Sequence, residues 1–198
     1  MKVLVIGLTG KTGAGKSTVS RYLEKKGCYI IDGDKIARDI LLPGRPAVKE
    51  LASYFGEDIV LPDGNIDRSK VAERAFSSPE NTDALNRITH PHITETFTRE
   101  ISAAEKGGYK AAVIDAAALL ESDCKNLCQK IVVVTAPEEI RLQRILLRDG
   151  ISEERAMMRI KAQKNDEYYF SQSDVIIRNY DPYNLQNEIL PVEELLND

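Results

Sequence analysis

Apolar residues recur along the chain in two rhythms. Short, nearly unbroken runs at Val3 to Leu8, Cys28 to Ile31, Ala111 to Ile114, Ile131 to Val134 and Asp174 to Ile177 suit parallel strands covered on both faces, which lack the in-out alternation of a half-exposed sheet. Between these runs the spacing turns helical. Val19, Tyr22 and Leu23 follow the first run, Ile93, Phe97, Ile101 and Ala104 precede the third, and Leu142, Ile145 and Leu146 follow the fourth. Strands that alternate with amphipathic helices predict an α/β fold of three layers around a five-stranded parallel sheet.

Gly, Pro and capping residues divide the chain further. Gly27 ends the first helix, Pro43-Gly44 closes the segment after the second strand, and Pro62-Asp63-Gly64 marks a turn. From Pro46 to Gly107 the pattern is helical. Ala47, Val48 and Leu51 mark one helix, Asp67 caps Arg68 to Phe76, and Ser78-Pro79 opens a third. Thr89-His90-Pro91-His92 reads as a break between two helices. Roughly sixty helical residues exceed one ordinary crossover, so the stretch from about 46 to 107 is expected to be an inserted acceptor-binding region. Gly150 and Ser152 separate two later helices, and Arg155, Arg159, Lys161 and Lys164 make the stretch from about 141 to 170 resemble a lid. The core is then about 1–45, 108–140 and 171–198 of a single domain, with a terminal helix through Leu185, Ile189, Val192 and Leu195 disturbed at Pro191.

Chemistry concentrates after the first strand. Gly10-Lys11-Thr12-Gly13-Ala14-Gly15-Lys16-Ser17 fits G-x-x-x-x-G-K-S/T, a loop whose amides and following helix surround a phosphate chain. Lys16 would reach the β/γ oxygens and Ser17 would ligate Mg²⁺. The second strand delivers Asp32-Gly33-Asp34 to the carboxyl edge, where open α/β sheets bind ligands. Asp34 can cap the next helix, act on an acceptor hydroxyl, or do both. Asp115, ending the third strand, can hold Mg²⁺ through water or serve a turn. Arg141, Arg144 and Arg148 fall at i, i+3 and i+7 on one helix face, suited either to solvent or to the open end of a triphosphate. His90 and His92, the two histidines of the chain, are too isolated to make a metal site by themselves and suit a structural role.

The formal net charge of −4 disfavours a nucleic-acid or membrane-surface binder, which carries a basic excess. No apolar run approaches the ~20 residues that span a bilayer, and the first run ends in the phosphate loop instead of a cleavage site. A cytoplasmic protein is expected. Cys28, Cys124 and Cys128 are an odd set of three, which suits small packed residues better than disulfides or zinc.

A guanine-reading N-K-x-D segment is absent from the sequence. A compact loop-bearing core with an insertion and a basic lid suits phosphoryl transfer to a small hydroxyl. At this point the chain resembles the dephospho-CoA kinase family. The likeness rests on Gly7-Leu8-Thr9-Gly10 with Gly13 to Thr18, Ile31-Asp32-Gly33-Asp34 with Ile36-Ala37-Arg38, Pro43-Gly44, and Ile88-Thr89-His90-Pro91. Asp115 with Leu119 and Glu121, Arg144 with Arg148-Asp149-Gly150, Arg159 with Gln163, and Asp174-Val175-Ile176 extend it over nearly the whole chain.

The resemblance implies a P-loop kinase-like fold and ATP-dependent phosphorylation of the ribose 3′-hydroxyl of dephospho-CoA, the last step of CoA biosynthesis. It implies Asp34, Lys16 and Arg144 as catalytic residues, and Gly13, Ala14, Gly15, Lys16, Ser17 and Thr18 with Arg148 as the ATP site. Thr9, Asp34, Arg38 and His90 would bind the acceptor, and Ser17 and Asp115 would serve Mg²⁺. The partners are then ATP and dephospho-CoA, with no nucleic acid and no membrane; a monomer is expected and an oligomer left open. Departures from the family pattern are Lys11 in place of glycine, Ala117-Ala118 in place of proline and leucine, Arg141 in place of glutamine, and Asn179-Tyr180-Asp181 in place of an Asn-acid-Gly turn. A kinase for another small hydroxyl, and a nucleotide sensor without catalysis, are the alternatives.

Overall fold

The computed structural model describes residues 2–197. The chain runs β1 (Leu4–Gly10), α1 (Lys16–Lys25), β2 (Tyr29–Asp32), α2 (Gly33–Asp39), α3 (Pro46–Phe55), α4 (Arg68–Ala75), α5 (Pro79–Lys106) and β3 (Ala111–Asp115). It continues through β4 (Lys130–Thr135), α6 (Glu138–Asp149), α7 (Glu153–Lys161), α8 (Asp166–Phe170), β5 (Val175–Arg178), α9 (Leu185–Glu188) and α10 (Leu190–Leu195). Two units result, Met1–Asp32 with Glu100–Asp198, and Gly33–Arg99.

The first unit holds all five strands in the order β2-β3-β1-β4-β5, and every pairing is parallel. Both faces of the sheet are covered, as the unbroken apolar runs require. Ile6, Leu8, Val113, Val132, Val134 and Ile177 join Val19 and Leu23 of α1 and Val192 of α10 in one core cluster. Leu120, Val133 and Tyr169 of α8 form another. Burying a side chain such as Leu8, which is fully covered, contributes about 1.5–3 kcal/mol relative to exposure. β1 outruns its apolar run because Thr9 and Gly10 still pair with Val133 and Val134; the ladder, not side-chain apolarity, sets its end.

The second unit is helical. Val48, Leu51, Ala52 and Phe55 of α3, Val71 and Ala75 of α4, and Ala84 of α5 share a cluster with Ile59 and Ile66. Asp67 caps α4 by accepting from the amides of Ser69 and Lys70. Arg74 grips Asp58 with two hydrogen bonds of 2.7 Å. The Arg74 guanidinium, followed by Lys70, holds the Asp58 carboxyl well below the usual carboxylate range.

One expectation needs correction. Thr89-His90-Pro91-His92 does not separate two helices, because α5 continues through Pro91. Leu85, Thr89, Ile93, Phe97 and Ile101 follow one another at four-residue intervals, so the inward ridge is unbroken, while Pro91 is exposed. The terminal helix is interrupted next to Pro191, as expected: it is two short pieces, α9 and α10, with Pro191 in the first turn of α10, where its missing amide hydrogen removes no helix bond.

Candidate active site

The phosphate loop leaves the sheet from its central strand, β1, which is paired on both sides. Gly13 and Gly15 turn with φ of +80° and +94°, the left-handed region that side chains resist. Crowding adds a second requirement. A Cβ on Gly13 would stand 2.6 Å from the Arg141 carbonyl oxygen, and one on Gly15 would collide with the Asn179 amide. The Ala14 amide donates to the Lys11 carbonyl at 3.0 Å and the Thr18 amide to that of Gly15 at 2.9 Å, so the loop turns into α1. The first turn of α1 carries no acidic residue, leaving the positive end of its dipole open to an anion.

Lys16 forms an ion pair with Asp115. Asp115 ends β3, in register with Leu8 of β1 and with Asp32 of β2. Two carboxylates and the loop lysine therefore gather along the carboxyl edge of the sheet, which is where such sheets bind ligands. Ser17 and Thr18 lie exposed in the first turn of α1. Thr9 is buried, and its hydroxyl donates to the Ala117 carbonyl at 3.2 Å.

The three arginines of α6 occupy three different environments. Arg141 is buried, its Nη2 is 4.0 Å from Glu138, and its Nε and Nη1 find no hydrogen-bond partner among the described residues. Arg144 turns to the loop: Nη1 donates to the carbonyls of Gly13 and Ala14 at 3.3 and 3.1 Å, and Nη2 to that of Asn179 at 2.8 Å. Arg148 is exposed and bonds Asp149 at 2.7 and 3.0 Å. Asp149 also accepts from Arg159 at 2.8 Å, and the Arg148 guanidinium beside it holds its carboxyl below the ordinary range.

Two braces of the loop were not singled out from the sequence. The Asn179 side-chain amide donates to the Ala14 carbonyl at 3.0 Å, and the Gln163 carbonyl oxygen accepts from the Thr12 amide at 3.0 Å. Both are more than 150 residues from the loop; Gln163 stands in a family-like segment, and Asn179 in a turn that departs from the family pattern.

In the helical unit, Asp34 and Arg38 lie four residues apart on α2 and are both exposed, which puts them on one helix face. Asp34 sits inside the first turn of α2, which begins at Gly33. His90 is half-buried on α5, and His92 Nε2 is 3.0 Å from Glu50 Oε1. Among the described residues no group of three or more His, Cys, Asp and Glu side chains could hold a metal. Burial pushes the Cys28 thiol up to about 11 and that of Cys128 to about 12, so neither is poised as a nucleophile.

A phosphate loop of this build occurs in many kinases, so the wider pattern must decide between them. The dephospho-CoA kinase family model matches residues 4–183. The chain belongs to the dephospho-CoA kinase family. A dephospho-CoA kinase of Corynebacterium efficiens is 44% identical over 180 residues, which cover 91% of this chain and 90% of that one. Among solved structures, TT1252 from Thermus thermophilus is similar with a TM-score of 0.81 at 27% identity, covering 100% and 98% of the two chains. Dephospho-CoA kinase from Campylobacter jejuni has a TM-score of 0.68 at 28% identity, with 96% and 95% covered. The family extends through both units and past the loop's distant brace at Gln163, so what sets it apart from other phosphate-loop kinases lies outside the loop itself.

Proposed function

We propose that this chain transfers the γ-phosphoryl group of ATP to the ribose 3′-hydroxyl of dephospho-CoA, giving CoA and ADP. It is an ATP-dependent kinase of CoA biosynthesis, and the observation that carries this reading is the family match across residues 4–183. The residue roles are our own assignment. The loop from Gly13 to Thr18 binds the β- and γ-phosphates, and Lys16 exchanges Asp115 for phosphate oxygens as nucleotide enters. Arg144 braces the loop and adds its charge to the field over the phosphates. Arg148 contacts phosphate from the lid side once it leaves Asp149.

Asp34 orients the acceptor hydroxyl and takes its proton during in-line transfer. Only Gly33 separates it from Asp32 at the edge of the sheet. Arg38, on the same face of α2, and His90 bind the acceptor's anionic parts, and Thr9 is a further acceptor contact. The insertion at about 46–107 contributes His90, and the lid at about 141–170 contributes Arg144 and Arg148. Ser17 and Asp115 offer the hard oxygen donors that suit Mg²⁺, which is held by one or two protein oxygens together with substrate phosphates. Bound there, Mg²⁺ would neutralise charge on the β- and γ-oxygens. Among the described residues no helix is long and apolar enough to cross a membrane, and the proposal includes a cytoplasmic monomer.

Protein, MgATP and dephospho-CoA incubated together should yield CoA by mass spectrometry, with competing nucleosides left unphosphorylated. An Asp34→Asn variant should bind ADP as the parent does while turnover falls by roughly 10²–10⁴, the usual range for a positioned base. Near-parental turnover would remove Asp34 from the chemistry, and phosphorylation of a different acceptor would replace dephospho-CoA as substrate.

A further inference from the structure

Lys11, the cation at the loop position where the family pattern has glycine, does not extend into solvent. Its side chain is 13% exposed, and its Nζ lies 2.5 Å from Asp166 Oδ1 at the start of α8. The same nitrogen stands 5.9 Å from the centroid of the Tyr169 ring, within reach of a cation–π attraction. Next to it, the Thr12 amide donates to Gln163 just beyond α7. Two consecutive loop residues are thus fastened to one stretch of chain, Gln163 to Tyr169.

That stretch is itself anchored. Tyr169 is 3% exposed in the cluster with Leu120 and Val133, the Tyr168 hydroxyl donates to the Leu120 carbonyl at 3.3 Å, and Asn165 caps α8 by accepting from the Tyr168 amide at 3.0 Å. On the other side of the turn the backbone at Arg141 closes against Gly13. The tip of the loop is gripped from both sides, with the Lys11–Asp166 ion pair on the side of α8.

We propose that Lys11 is a positioning residue for nucleotide binding: its pair with Asp166 fastens the tip of the phosphate loop to α8, so that the amides are arranged before ATP arrives. A loop held in its binding shape loses less freedom when ligand binds. Lys11 therefore acts through the backbone it carries, while Lys16 supplies the cation that meets phosphate. The inference rests on the kinase reading above, but its measurement needs no acceptor.

The experiment compares ADP affinity by titration calorimetry for the parent, Lys11→Met, Asp166→Asn, the double variant and Lys11→Arg, with KM for ATP and kcat measured on dephospho-CoA alongside. Each single variant should weaken ADP binding and raise KM by about fivefold, the upper range of a partly exposed pair, with kcat changed less than twofold. The double variant should be no worse than the weaker-binding single, since one pair is lost either way, and Lys11→Arg should recover most of the affinity. Unchanged ADP affinity in Lys11→Met, or effects of the two single variants that add fully, would overturn the clamp. So would a kcat loss above tenfold in Lys11→Met that Asp166→Asn does not share, because that places Lys11 on the phosphates directly. If dephospho-CoA is not a substrate at all, the ADP affinities still decide the clamp, and only the acceptor assignment falls.

Discussion

Arg144 offers a direct measure of how much of the loop's shape is held from outside. Its guanidinium serves three carbonyls at once, at 3.3, 3.1 and 2.8 Å, a geometry that the single ammonium of lysine cannot reproduce. In Arg144→Lys the ammonium can reach one or two of them. Hydrogen bonds to charged groups are worth ~1.5–3 kcal/mol when fully formed. Because Arg144 is only half-buried and the longest of its bonds is at the limit of good geometry, about 1 kcal/mol for each bond lost is the appropriate scale. Losing one or two gives about 1–2 kcal/mol, a five- to thirtyfold change in an equilibrium constant. Part of that loss should appear as lower stability, a melting temperature down by roughly 2–8 °C for a chain of this size. Part should appear as weaker ADP binding, since Gly13 and Ala14 are the carbonyls released. Calorimetric titration of ADP and a thermal melt on the same preparation test both. An Arg144→Lys protein that melts with the parent and binds ADP within twofold would refute the brace.

Two further outcomes follow from electrostatics and burial. Asp58 is held ionised by Arg74 and Lys70, so in acid the unfolded chain binds a proton there that the folded chain refuses, and stability contributed by the pair falls as pH falls. Asp58→Asn should therefore lower the melting temperature near neutral pH, with the gap to the parent narrowing below about pH 4, the ordinary aspartate value; a gap that stays constant into acid would contradict the pairing. The thiols of Cys28, Cys124 and Cys128 are all pushed upward, chiefly by burial, so Ellman's reagent at pH 8 should label the native protein far more slowly than the protein in guanidinium. Rapid labelling of the native protein would show that the cysteines are accessible.

The sheet was readable from sequence because a strand buried on both faces must be apolar throughout, and the five runs each yielded a strand within one or two residues. Helix boundaries were less readable where two signals conflicted. At Pro91 the local rule, that proline stops a helix, competed with a tertiary one, the row Leu85, Thr89, Ile93, Phe97 and Ile101. The row prevailed: packing along five positions outweighs one lost backbone bond when the proline ring faces outward. Nothing within a few residues of Pro91 distinguishes these outcomes, since the burial of Thr89 and Phe97 on either side of it is a property of the folded chain.

The same division between local and distant causes separates the two halves of the candidate site. Gly13, Gly15, Lys16 and Ser17 are recognisable because their spacing is dictated by one turn and the first residues of one helix, all within eight positions. Their supports are not. Asn179 reaches Ala14 across 165 residues and Gln163 reaches Thr12 across 151, and no periodicity links such positions. Lys11 shows the consequence most clearly, because the sequence places a cation in a phosphate-binding turn without fixing where it points. The ring of Tyr169 and the carboxylate of Asp166 fix its direction, and this depends on α8 packing against Leu120 and Val133. The motif therefore specifies what the loop can bind, whereas the fold around it determines how rigidly the loop is held.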